Sequence, residues 1–80
     1  MELNTMTSYQ GHRSWNAWNV SLWINNDESL YRLAVHCRNV TKTAGAAARL
    51  MMRDLEGMKT PDGAKFNLTC VREAISSIEK

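Results

Sequence analysis

Eighty residues, 44% of them apolar, with a formal net charge of +2, describe one small domain with one core. With four glycines and one proline the chain is not low-complexity or disordered. Its longest apolar runs are far too short to span a bilayer, and its first thirteen residues lack the charged start and apolar block of a secretory signal. The expectation is a cytoplasmic protein with no membrane association, in which Cys37 and Cys70 are buried free thiols rather than a disulfide. At this size the fold is expected as a monomer or a small homo-oligomer.

Residues 1–13 are polar and aperiodic and predict an extended arm. Ser14 is placed to cap a first helix over 15–24, where Trp15, Trp18 and Leu22 fall on one face, Ala17, Val20 and Ile24 on another, and Trp23 between them. A short helix apolar nearly all round predicts burial, with the three tryptophans at the centre of the fold. Asn25-Asn26 is expected to close it through left-handed geometry, and Asn26 or Asp27 to cap a second helix ending near Asn39, with Leu30, Leu33, Ala34 and Cys37 as its inner stripe. Thr41 or Thr43 predicts a third helix over 44–56, with Ala44, Ala47, Ala48, Met51 and Leu55 inward and Gly45 permitting close helix contact. Gly57 stops it. The loop 57–66 carries the turn Thr60-Pro61-Asp62-Gly63, and Asn67 opens a fourth helix with Leu68, Val71, Ala74, Ile75 and Ile78 on one face. The reading is a single all-α domain over residues 1–80, a compact bundle of about four short helices with an N-terminal arm.

Charge is distributed unevenly. Arg32, Arg38, Lys42, Arg49 and Arg53 lie in a window, Ser29 to Arg53, that contains no Asp or Glu, and Arg49 and Arg53 stand one turn apart. Basic helix faces are commonly mere solvated exteriors. Here, though, the acids that usually balance them are missing from the window, and Arg suits bidentate pairing with phosphate or carboxylate. These five residues are the candidate partner-binding set.

No helix-turn-helix, zinc finger or aromatic platform supports nucleic-acid binding beyond this electrostatic signal. His12, His36, Cys37 and Cys70 match no zinc spacing, so no metal is expected. Asp27 and Glu28 read as cap and dipole partners rather than a catalytic pair. With no nucleophile triad, phosphate loop or nucleotide fingerprint, neither a catalytic residue nor a cofactor is expected. Trp15, at the start of the first helix, is a secondary contact candidate.

Tyr9-Gln10-Gly11 followed by Trp18-Asn19-Val20-Ser21-Leu22-Trp23-Ile24-Asn25-Asn26-Asp27-Glu28-Ser29-Leu30-Tyr31 resembles a family of small phage, plasmid and prophage proteins marked by a segment close to TNYETWNVALWINNDEGLY. The likeness is specific over residues 9–31. Val71-Arg72-Glu73-Ala74-Ile75 echoes the closing helix of that family, with Val71 where Trp is usual. The resemblance implies an accessory protein of a mobile element, and small orphan proteins of that origin often inhibit host defence. The function it implies is a type I anti-CRISPR protein in the host bacterial cytoplasm, a stoichiometric inhibitor that docks on a CRISPR-Cas surveillance complex through the basic face and blocks target DNA binding. The alternative is a nucleic-acid-binding accessory protein of a phage or plasmid.

Overall fold

The computed structural model describes residues 14–78, so the arm expected over 1–13 lies outside the described residues. The fold is all-α, with four helices: α1 (Trp15–Asn26), α2 (Glu28–Asn39), α3 (Ala44–Leu55) and α4 (Leu68–Ile78). Each starts at a short polar side chain that accepts the backbone N–H three residues on. Ser14 Oγ takes that of Ala17 at 3.1 Å, Asp27 Oδ1 that of Leu30 at 3.0 Å, Thr43 Oγ1 that of Ala46 at 3.1 Å, and Asn67 Oδ1 that of Cys70 at 2.9 Å. A cap of this kind contributes about 1 kcal/mol.

A single residue joins α1 to α2. The Asp27 backbone N–H donates to the Trp23 carbonyl at 2.8 Å and closes α1, while its side chain opens α2. Asp27 is extended (φ −91°, ψ 121°), so the left-handed closure expected at Asn25-Asn26 does not occur. Both asparagines stay helical, and their side-chain amides donate back to the Ser21 and Leu22 carbonyls at 2.8 Å each.

α1 packs on α2 and α4, α3 packs on α2 and α4, and α1 and α3 do not meet. The inner stripes of α2, α3 and α4 hold at their centres, with Ala34 and Cys37, then Ala47, Ala48, Met51 and Leu55, then Val71, Ala74 and Ile75, all buried; Leu30, Leu33, Ala44 and Ile78 are partly buried, and Leu68, expected on the inner face, is exposed in the first turn of α4. Fully burying a side chain the size of Met51 or Ile75 contributes about 1.5–3 kcal/mol. The alanines bring the backbones close. Gly45 is not required for that approach, because a Cβ there would meet the Arg72 Cδ at 3.8 Å and the Thr43 Oγ1 at 3.9 Å, which is ordinary contact.

The first helix departs from its sequence reading. Its buried face is Ala17, Val20 and Ile24 with the polar Asn19 and Ser21, whereas Trp18 and Trp23 are half-buried and Trp15 is exposed. The tryptophans therefore flank the core instead of forming it. Slim residues face the neighbouring helices, and the indoles lie along the outside of the packing seam.

Residues 57–66 form a tight hairpin-like loop. Gly57 (φ +83°) ends α3 in the left-handed conformation that favours glycine, and the Met58 N–H donates to the Leu55 carbonyl at 2.9 Å. Pro61 and Asp62 make the turn. The Gly63 N–H donates to the Thr60 carbonyl at 2.9 Å, and Gly63 takes φ +99°. The Thr60 N–H donates to the Ala64 carbonyl at 2.8 Å, and an isolated antiparallel bridge pairs Lys59 with Lys65. This is the pattern of a three-residue hairpin loop whose last residue is left-handed. On its return limb Ala64 and Phe66 point into the core and Lys65 points out.

Candidate interaction surface

The segment rich in Trp and Asn proves to be a clamp. Asn19 is fully buried. Its Oδ1 accepts from the Thr60 hydroxyl at 2.6 Å, and its Nδ2 donates to Asp62 Oδ2 at 2.9 Å. The Trp23 indole N–H donates to the same carboxylate oxygen at 2.9 Å. These two donors, Asn19 first, hold the Asp62 carboxyl below the usual carboxylate range, with desolvation acting weakly the other way. One turn earlier, Asn16 pairs with the backbone of Lys65 in both directions, accepting its N–H at 2.8 Å and donating to its carbonyl at 2.9 Å, and also donates to Cys70 Sγ at 3.4 Å. Thr60 Oγ1 in turn accepts from the Ala64 N–H at 3.0 Å. Three side chains of α1 thus fix a loop some forty residues away.

The five cations of the sequence reading have different surroundings. Arg32 is ion-paired with Glu28, one turn before it on α2 and just outside the acid-free window, and both side chains are largely exposed. Such a surface pair is worth little in stability, but it lowers the charge Arg32 offers to a partner. Arg38 donates to the Thr41 carbonyl at 3.2 Å and lines a shallow groove with Tyr31, Val35, Asn39 and Ile78, between the ends of α2 and α4. Lys42 is exposed in the α2–α3 connection. Arg49 and Arg53 are exposed on the outside of α3, opposite its buried stripe.

Arg49 also lines a cleft between α3 and α4, with Gly45, Leu68, Thr69 and Arg72. Arg72 was outside the basic window of the sequence, yet it belongs with Arg49. Its only signal was its place beside Val71, off the apolar stripe of the last helix. Among the described residues, Lys42, Arg49, Arg53 and Arg72 make no ion pair and no side-chain hydrogen bond. The arrangement separates Arg32 and Arg38, already engaged within the fold, from Arg49, Arg53 and Arg72 on α3 and α4, which make no such bond among the described residues.

Other features are less concentrated. Trp15, Leu22, Tyr31, Val40, Met58 and Leu68 are exposed apolar side chains distributed over several elements. Cys37 and Cys70 are free and buried. Burial pushes the Cys37 thiol up, and the nearby Asp54 carboxylate adds to the shift, so it is a packing group rather than a ready thiolate. Among the described residues no three His, Cys, Asp or Glu side chains stand together as metal ligands, and no helix is long and apolar enough to cross a membrane.

A family of unknown function, DUF7249, matches residues 5–80. No curated protein and no solved structure matches the chain.

Proposed function

The chain belongs to the DUF7249 family, and we propose that it works by stoichiometric binding, docking through the outer faces of α3 and α4 on an anionic surface of a larger partner. The observation that carries this reading is the set Arg49, Arg53 and Arg72, exposed and without an acidic neighbour bonded to any of them. Guanidinium groups on rigid helices lose little freedom when they engage carboxylate or phosphate, and their summed field accelerates encounter with a negative partner. The clamped loop supports the same reading, because it braces the bundle from the far end of α3 through the start of α4. Arg32 and Arg38, already engaged within the fold, are secondary contacts, and Lys42 extends the charge toward α2.

The partner implied by the resemblance to mobile-element proteins is a host CRISPR-Cas surveillance complex of type I, whose bound nucleic acid and acidic surfaces offer the charge this face needs. In that setting the protein is an inhibitor that excludes target DNA. The test is target-DNA binding by a purified type I surveillance complex titrated with this protein. Loss of DNA binding that is complete near equimolar ratio, and that is restored when Arg49→Glu and Arg53→Glu are combined, is the expected result. DNA binding that persists at large molar excess contradicts the inhibitor reading. A gel-shift titration with free DNA separates the alternative: strong retention with a steep salt dependence in the absence of any protein partner marks a direct nucleic-acid binder.

A further inference from the structure

The cleft between the first turns of α3 and α4 has a chemistry more specific than a basic face. We infer that it is a binding site for a phosphate group. It measures about 250 Å³ and is lined by Gly45, Arg49, Leu68, Thr69 and Arg72, with no acidic residue among them. The two arginines come from different helices. Arg72 lays its stem toward α3, with its Cδ 3.8 Å from where a Gly45 Cβ would stand.

Beside the two arginines the lining adds donor groups to the apolar Leu68. Thr69 contributes a hydroxyl. Gly45 and Thr69 are each the second residue of their helix, after the caps Thr43 and Asn67. Their backbone N–H groups have no acceptor within the helix, while those of Ala46 and Cys70 are taken by the cap side chains. Both helix starts carry partial positive charge and both guanidinium groups a full one, and no acidic residue lines the cleft to balance them.

The number and spread of donors distinguish phosphate from carboxylate. One guanidinium satisfies a carboxylate through a two-pronged contact. Two arginines on different helices lining one cleft, with Thr69 and two helix starts beside them, suit a tetrahedral group that presents three oxygens in different directions. The source is either the phosphodiester backbone of a nucleic acid or a terminal phosphate on a small molecule. This inference deepens the docking proposal and rests on it for its biological consequence, since a nucleic-acid-lined partner surface would place a phosphate here.

The experiment is amide NMR of the full chain, titrated in parallel with sodium phosphate, a 5′-mononucleotide, a short oligodeoxynucleotide without terminal phosphates, and sodium acetate at matched ionic strength. Phosphate is expected to move the Gly45 and Thr69 resonances first. Removing one charge-assisted contact with Arg72→Gln should weaken this binding about tenfold, whereas Lys59→Gln, at an exposed residue outside the cleft, should leave it nearly unchanged. Thermal melting of each variant separates lost binding from lost folding, and Arg49→Gln provides a second test if Arg72→Gln melts early. Tighter binding of the oligonucleotide than of phosphate assigns the backbone as the source, and tighter binding of the mononucleotide assigns a terminal phosphate. Gly45 and Thr69 resonances that stay still, or that move equally with acetate, overturn the site. Should they stay still while Arg49→Glu with Arg53→Glu still restores DNA binding to an inhibited complex, the cleft is wrong and the docking face stands. Should phosphate bind the cleft while the charge reversal changes nothing, the docking face is wrong and the cleft stands.

Discussion

Two regions of this molecule treat polar side chains in opposite ways. On the α1 side, Asn16, Asn19, Trp23, Thr60 and Asp62 are satisfied by one another or by backbone, and Asn19 and Thr60 are buried in the process. On the α3–α4 side, Arg49, Arg53 and Arg72 stand in solvent with no bonded partner among the described residues. A polar group that is buried must find its partner within the fold, because leaving it unpaired costs about 1–3 kcal/mol. An exposed cation has no such obligation. The conspicuous segment is thus devoted to folding, and the plainer one is available for contact.

The comparison breaks most visibly at Asn19. Asn19→Ala leaves the Thr60 hydroxyl and one side of Asp62 without their partners, and the loss should be about 2 kcal/mol, a fall of about 10 °C in melting temperature for a domain of this size. If the clamp is only decorative, the melting temperature will not move. Acid is expected to loosen the same clamp. Because the folded-state Asp62 carboxyl titrates below its usual range, its contribution is present above that range and is lost as pH falls through the folded-state value. Asp62→Asn should therefore flatten the acid limb of the stability profile, and an unchanged acid limb would remove Asp62 from it.

Gly45 sharpens the other half. A Cβ there meets only ordinary contacts, so Gly45→Ala should stabilise α3 by roughly 0.5–1 kcal/mol, read as a higher denaturant midpoint. Destabilisation would show that the helix approach needs the glycine. The smallest effect is expected at the exposed arginines: Arg49→Glu and Arg53→Glu should each leave stability within about 0.5 kcal/mol.

Much of the fold was legible because its boundaries are local. Ser14, Asp27, Thr43 and Asn67 are all capping residues acting within one turn, and Gly57 and the Pro61-Asp62-Gly63 turn depend on backbone preferences that composition reveals. The choice of face on α1 was not local. By area alone the tryptophans belong inside, yet Asn16, Asn19 and Trp23 have partners about forty residues away or more distant, and a helix wheel cannot see an acceptor on a distant loop. The slim face of Ala17, Val20 and Ile24 then becomes the seam. The basic set was legible as charge but not as geometry. Glu28 lay one residue beyond the acid-free window and engages Arg32, while Arg72 joins Arg49 only because α3 and α4 pack side by side.

The central claim is that cations on the outer faces of α3 and α4 meet the partner while the α1 clamp only holds the fold. Its most direct measurement is capture of a purified type I surveillance complex by the immobilised Arg49→Glu, Arg53→Glu double variant, with the melting temperature recorded on the same preparation. Capture lost with melting unchanged is the predicted result; capture at the level of the parent protein would contradict it.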